Sequence, residues 1–163
     1  MIGDLALVVH VAAGAAALAI GPLAIRNAAL GVAEHRAGDV LHGLVAVVCL
    51  SASVLAVFDW SRLWFFVPIA AGSYAFALRG HRASRRRRHD WRAVSVRAYG
   101  GAYIALTTAL IVVSFAGTPL LWLLPTVVGV PAFHLLAHRT ATNASAPGSV
   151  EGRGASGRAR LHW

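Results

Sequence analysis

Long runs of apolar residues, separated by short polar segments, set the pattern of this chain. A helix needs about 20 apolar residues to cross the hydrocarbon core of a bilayer. The runs therefore predict five transmembrane helices, at residues 5–25, 39–58, 63–78, 98–116 and 120–137. The third is short, so we expect the flanking Arg62 and Arg79 to reach the lipid headgroups. Together the runs predict an all-α, polytopic membrane bundle at residues 1–139, followed by a disordered cytoplasmic tail at 140–163.

A basic segment at residues 82–97 carries seven arginines between two of these runs. Loops rich in arginine stay on the cytoplasmic side while the neighbouring helices insert. With this segment and the tail inside, fourteen of the fifteen arginines are cytoplasmic and Arg62 alone lies outside. The charge pattern therefore predicts an outside N-terminus and a cytoplasmic C-terminus. The acidic Asp4, with no basic residue before the first run, favours a retained helix over a signal peptide.

Composition supports a multi-pass protein of the plasma membrane, or inner membrane, of a cell. The chain is 58% hydrophobic and 13% charged, with a mean hydropathy of +0.65, values typical of membrane proteins. A net charge of +9 could suggest nucleic acid as a partner. Because the arginines flank apolar runs, we instead expect the bilayer and its anionic phospholipids as partners, and no nucleic acid. The residues expected to contact anionic lipid are Arg85, Arg86, Arg87 and Arg88.

Ionisable residues inside the predicted spans are costly in lipid, so each one is a functional candidate. His10 shares a helix face with Gly14 and Gly21, and small-residue faces let membrane helices approach closely. This spacing predicts that His10 faces the bundle. In the second span one stripe holds polar residues at steps of three, four or seven: His35, Asp39, His42, Cys49 and Ser53.

Depth along the membrane normal limits which histidines can act together. At about 1.5 Å rise per residue, His42 and His134 each lie about 6 Å inside the cytoplasmic boundary, and His10 lies on the order of 15 Å away from them. His42 and His134 are therefore the candidate axial ligands of a b-type haem. Asp39, one turn before His42, would orient that imidazole. A divalent metal or non-haem iron is the alternative cofactor, with the remaining cytoplasmic-side histidines as candidate ligands: His35, His89 and His138.

Two function classes remain open at this point. The first is a small integral membrane protein with a histidine-ligated haem or metal, acting as a redox subunit. The second is a cofactor-free accessory, structural or transporter-like membrane protein, whose histidines make interhelical hydrogen bonds. Either class allows a membrane protein partner or a homo-oligomer. The sequence holds no G-x-S-x-G, Walker or dinucleotide motif, so hydrolase and nucleotide chemistry have no support.

Short motifs also resemble a family of uncharacterised bacterial membrane proteins, the domain of unknown function 2306. They are His10 with Gly14, Gly21-Pro22, the segment from His35-Arg36 to Gly38, and the segment from Arg88-His89 to Trp91. The resemblance covers residues 5–115, so the fifth span lies outside it. It implies that His10, His35 and His89 are the positions to watch, and it brings no established activity.

Overall fold

The computed structural model describes residues 1–32, 36–87, 89–114 and 119–144. Nearly all of these residues are helical, and no strand occurs among them, which confirms the predicted all-α class. The helices are α1 Ile2–Leu30, α2 Arg36–Phe58, α3 Trp60–Leu63, α4 Phe66–Arg86, α5 Trp91–Ser114 and α6 Pro119–Ala144. Within the described part of the chain, three helices are long and apolar enough to cross a membrane: Ile2–Leu30, Arg36–Phe58 and Trp91–Val112.

Four helices form a ring in which each packs against two neighbours, in the order α1, α2, α4 and α5. The single turn α3 joins α2 to α4, and α6 lies outside the ring, packed on α5 and touching α1. Short connections make successive long helices antiparallel. The end of α1, the start of α2, the end of α4 and the start of α5 therefore meet. We call this the arginine-rich end of the bundle.

Small side chains form the interior of the ring, and large apolar side chains cover its outside. Ala17, Ala77 and Ala102 are fully buried, which allows the close helix approach typical of membrane bundles. On the outside, Leu50 and Val57 are 68% and 71% exposed. An exterior this apolar is the reverse of a water-soluble bundle, whose outward face is polar.

The helices at the arginine-rich end extend further than the apolar runs predicted. α4 passes its predicted end at residue 78 and stops at Arg86, and α5 begins at Trp91. The basic segment predicted as a loop is therefore mostly helical. Arginine has a high helix propensity, and Arg85 and Arg86 in the last turn interact favourably with the helix dipole. Arg87 ends α4 with a left-handed backbone, φ 41°.

Two other helix ends also differ from prediction. α1 continues to Leu30 and ends at Gly31, whose φ of 69° is easily adopted by glycine. α6 continues through Ala144, so the start of the tail predicted to be disordered is helical. Residues 145–163 lie outside the described part of the chain.

Candidate functional site

Five polar side chains meet between α2 and α4 near the arginine-rich end. Asp39 and His42 come from α2, and Tyr74, His81 and Arg85 come from α4. Asp39 uses both carboxylate oxygens: Oδ2 lies 2.5 Å from Arg85 Nη2, and Oδ1 lies 3.2 Å from His81 Nδ1. We call these five residues the α2–α4 polar cluster. Its carboxylate is thus held between a permanent cation and an imidazole.

The two imidazoles of the cluster stack face to face. The ring centroids of His42 and His81 are 4.6 Å apart, with an interplanar angle of 20°. The Tyr74 ring lies 5.5 Å from that of His42, tilted by 37°. Stacked rings present their faces to each other. They therefore do not aim their nitrogens at one iron from opposite sides, as two axial haem ligands must.

Three atoms of the cluster are buried without a hydrogen-bond partner among the described residues: Asp39 Oδ1, His42 Nε2 and His81 Nδ1. The Asp39–His81 contact is close enough for a hydrogen bond, but it lacks the alignment of one. The fourth such atom in the described residues is Thr108 Oγ1. Buried polar atoms are nearly always paired, and each unpaired one costs about 1–3 kcal/mol. Three of the four such atoms among the described residues therefore belong to this cluster.

Tyr99 of α5 packs beside the cluster and sets the spacing of α2 and α4. Its side chain is only 2% exposed. A Cβ atom placed on Gly38 would lie 2.7 Å from the Tyr99 hydroxyl, and one on Gly80 would lie 2.8 Å from its ring. Ser84 Oγ lies 3.4 Å from that hydroxyl. The two glycines thus allow Tyr99 to enter between the helices, which fixes how closely Asp39 approaches His81.

A small cavity opens on the other side of the Tyr99 hydroxyl. Its volume is about 20 Å³, which is room for one water molecule. Polar groups from α1, α4 and α5 contribute to its wall, and the lining includes Asn27, Ser84, Trp91 and Tyr99. Tyr99 therefore borders a space that can hold one water molecule at the arginine-rich end.

His10 lies far from the cluster and contacts α2 near the opposite end. Its Nδ1 is 3.1 Å from the Val48 carbonyl oxygen and 3.0 Å from Ser51 Oγ. The carbonyl can only accept, so Nδ1 carries the proton and donates it. Ser51 lies about 18 Å along α2 from Asp39. His10 therefore faces the bundle as a hydrogen-bonded link between α1 and α2, outside the cluster.

The structure does not bring His42 and His134 together, which corrects the predicted haem pair. His134 is exposed on α6, and α6 packs on α5 and α1 outside the ring, whereas His42 lies between α2 and α4. His138 is also exposed on α6. His89 is 91% exposed and lies 3.0 Å from the carboxylate of its neighbour Asp90.

The predicted metal ligands are not gathered either. Across residues 1–32, 36–87, 89–114 and 119–144, no group of three or more His, Cys, Asp or Glu side chains is placed to hold a metal ion. His35 and Arg88 fall outside these residues.

Of the other arginines expected at lipid, Arg85 binds Asp39, and the Arg87 guanidinium lies 5.2 Å from the Trp91 ring centre.

Sequence reasoning missed His81 and Tyr74, although a signal for both was present. Tyr74, Leu78, His81 and Arg85 recur at steps of four, three and four, so they share one helix face. That stripe matches the polar stripe of α2. Ending the third span at residue 78 placed His81 outside the helix and divided the stripe.

No protein-family model, curated protein or solved structure matches this chain. The resemblance to the domain of unknown function 2306 therefore stays a prediction.

Proposed function

We propose that the chain is a five-span protein of the plasma or inner membrane, with its N-terminus outside and its arginine-rich end in the cytoplasm. In this arrangement α4 and α6 cross the bilayer beside the three apolar helices α1, α2 and α5. Exposed apolar side chains on both helices support it: Ile69 and Phe76 on α4 are 49% and 50% exposed, and Val127 and Leu135 on α6 are 67% and 63% exposed. Such side chains suit contact with lipid.

Reporter fusions test this topology. Fusions after Arg87 and after Arg139 should both report a cytoplasmic location, because α5 and α6 cross the membrane in opposite directions between these points. A fusion after Arg62 should report the outside. If the fusions after Arg87 and Arg139 fall on opposite sides, either α5 or α6 does not cross and the five-span topology is wrong.

Within this topology, the α2–α4 polar cluster acts as the proton-binding site of a small transporter-like membrane protein. The three buried, unpartnered atoms of Asp39, His42 and His81 carry this proposal. Arg85 already balances the charge of Asp39. A further proton would be shared between Asp39 Oδ1 and His81 Nδ1. Two charged imidazoles stacked at 4.6 Å would repel each other, so the cluster exchanges one proton.

Further polar side chains lie beyond the cluster on the polar stripe of α2. Cys49 Sγ donates to the Ala70 carbonyl oxygen of α4 at 3.2 Å, and Asp39 to Cys49 covers about 15 Å along α2. This distance is about half of a 30 Å hydrocarbon core. Ser53 extends the same stripe. Polar and ionisable residues that face a bundle interior at such depths mark proton and ion pathways.

Proton flux into liposomes tests the proposed function. A potassium diffusion potential set with valinomycin should drive proton entry into vesicles that contain the full chain and an enclosed pH dye. His81→Gln should reduce the flux by about 100-fold, as expected for the loss of a positioned proton acceptor. The matched control is His134→Gln, on the exposed face of α6, which should keep the wild-type rate. Wild-type flux equal to that of empty vesicles would exclude proton translocation.

A metal-binding redox subunit is the second candidate, and one distance favours it. His81 Nδ1 and Asp39 Oδ1 are 3.2 Å apart without hydrogen-bond alignment, close to the spacing of two ligands on a tetrahedral ion with bonds of about 2.0–2.2 Å. It ranks second because the described residues supply no third ligand. Metal analysis of the purified protein should then show stoichiometric metal, which would be lost after His81→Gln; a wild-type protein without metal would exclude this candidate.

A further inference from the structure

A groove on the outer face of α4 and the start of α5 is separate from the α2–α4 polar cluster. Its volume is about 490 Å³, within the range of small-ligand sites. Three arginines dominate its wall, and the described residues that line it are Arg79, Arg82, Ala83, Arg86, His89, Asp90, Trp91 and Val94. We call this the arginine groove.

The three arginines share one face of α4, beside the face that carries Tyr74, His81 and Arg85. Arg79, Arg82 and Arg86 stand at steps of three and four, so their side chains lie along one stripe. All three are exposed. In contrast to Arg85, none of them forms an ion pair or hydrogen bond with the described residues. Their guanidinium donors therefore remain available to a ligand.

The groove has an excess of positive charge. Asp90 is the one acidic residue among the described residues that line it, and that carboxylate already lies 3.0 Å from His89 Nδ1. Three arginines against one aspartate give the described lining an excess of positive charge. Guanidinium groups bind phosphate oxygens through paired hydrogen bonds. The charge and the donor type both favour a phosphate group as the ligand.

Beyond the groove, toward the bundle centre, the surface of α4 is apolar. Phe76 precedes Arg79 by one turn on the same face and is 50% exposed. Its ring rests against α5 at Gly101, where an added Cβ would lie 3.1 Å from the ring. A ligand that fits both parts must have an anionic head and an apolar chain. A phospholipid has this chemistry, whereas a free phosphate ion would leave the apolar part unused.

We propose that the arginine groove binds the phosphodiester headgroup of one anionic phospholipid per chain, with an acyl chain lying along Phe76. This assigns lipid binding to Arg79, Arg82 and Arg86, so Arg86 is the one residue shared with the expected run of four arginines. Trp91 stands at the rim, with the Arg87 and Arg92 guanidinium groups 5.2 Å and 5.8 Å from its ring centre. The proposal is independent of proton binding, which involves the α2 side of α4.

Native mass spectrometry of the full chain in detergent tests the proposal, with dioleoylphosphatidylglycerol and dioleoylphosphatidylcholine as probes. The wild-type chain should bind one phosphatidylglycerol in preference to phosphatidylcholine. Arg79→Gln/Arg82→Gln/Arg86→Gln should weaken phosphatidylglycerol binding by about 100-fold, since an arginine at a membrane surface contributes about fivefold in affinity. The matched control removes three exposed arginines outside the groove, in the variant Arg26→Gln/Arg62→Gln/Arg139→Gln. It should stay within about twofold of wild type.

A second variant keeps the test decisive if the triple substitution disturbs folding. Asp90→Asn removes the groove's carboxylate, so it should strengthen phosphatidylglycerol binding by about fivefold. Equal weakening by the control triple would mean that net charge alone attracts the lipid. Binding of inorganic phosphate as tight as that of phosphatidylglycerol would mean a phosphate site without lipid. Unchanged affinity in both groove variants would place the lipid elsewhere, and each of these three results overturns the proposal.

Discussion

His10 and His42 both turn toward neighbouring helices, yet their ring nitrogens meet opposite conditions. Nδ1 of His10 donates to the Val48 carbonyl, with the Ser51 hydroxyl beside it. Nε2 of His42 is buried without a partner in the described residues. Two more such atoms lie in the same α2–α4 polar cluster, on Asp39 and His81. The first arrangement completes a hydrogen bond between two helices, and the second leaves hydrogen-bonding capacity unused.

This difference distinguishes His10, a structural histidine, from His42, a functional candidate. A satisfied intramembrane hydrogen bond contributes about 0.6 kcal/mol to helix association. An unsatisfied buried atom instead costs about 1–3 kcal/mol. A fold keeps such atoms only where the surrounding packing tolerates the cost. At the arginine-rich end that packing is Tyr99 against Gly38 and Gly80, which holds α2 and α4 at a fixed separation.

The largest expected effect comes from disturbing that packing. Gly80→Ala places a Cβ 2.8 Å from the Tyr99 ring, so the ring or the helix must shift. Overpacking of this kind costs about 1–3 kcal/mol. We expect a clear fall in the thermal unfolding midpoint in detergent. Proton flux should fall as well, because Asp39 and His81 would move apart.

Gly72→Ala is the matched control for this substitution. It lies on the same helix, toward the opposite end, and nothing is within 4 Å of its added Cβ. It should raise stability by about 0.5–1 kcal/mol through helix propensity alone. If the two variants unfold at the same temperature, Tyr99 does not set the spacing of the cluster.

An effect of intermediate size is expected when each histidine is replaced by leucine, because the two variants should differ in stability. His10→Leu removes the interhelical hydrogen bond, so it should lower stability by about 1 kcal/mol. His42→Leu removes an unpartnered nitrogen, so stability should stay the same or rise. Thermal unfolding of both variants, in one detergent and at one pH, measures the contrast. A larger loss for His42→Leu would show that Nε2 has a partner in the native protein, such as an ordered water or an ion.

The apolar runs predicted the helical class and the approximate positions of α1 and α2, because hydrophobic length is a local property of the sequence. They did not predict that α4 continues to Arg86. Arginines at a helix end and arginines in a loop look alike when only hydropathy is considered, and cap geometry decides between them. The left-handed Arg87 supplies that cap.

The neighbours of His42 could not be predicted for a different reason. Its stripe with Asp39 was visible in the sequence, but the choice between α4 and α6 as the facing helix depends on packing between distant segments. Here a single tyrosine entering between two glycines brings α4 beside α2. Gly38, Gly80 and Tyr99 form no periodic pattern with one another, so no local signal links them.

The smallest expected effect concerns the contact between His10 and Ser51. Ser51→Ala removes the hydroxyl beside His10 Nδ1 but leaves the Val48 carbonyl as acceptor. The loss should therefore be about 0.6 kcal/mol, the average for such contacts in membrane bundles. Ser53→Ala is the matched control, because the Ser53 hydroxyl donates to the Cys49 carbonyl of its own helix. Thermal unfolding should rank wild type and Ser53→Ala together, with Ser51→Ala slightly below.

In a His10→Leu background the Ser51→Ala loss should vanish, since no ring nitrogen remains to use the hydroxyl. If the loss persists there, Ser51 stabilises α2 alone, and the link between α1 and α2 rests on the carbonyl of Val48.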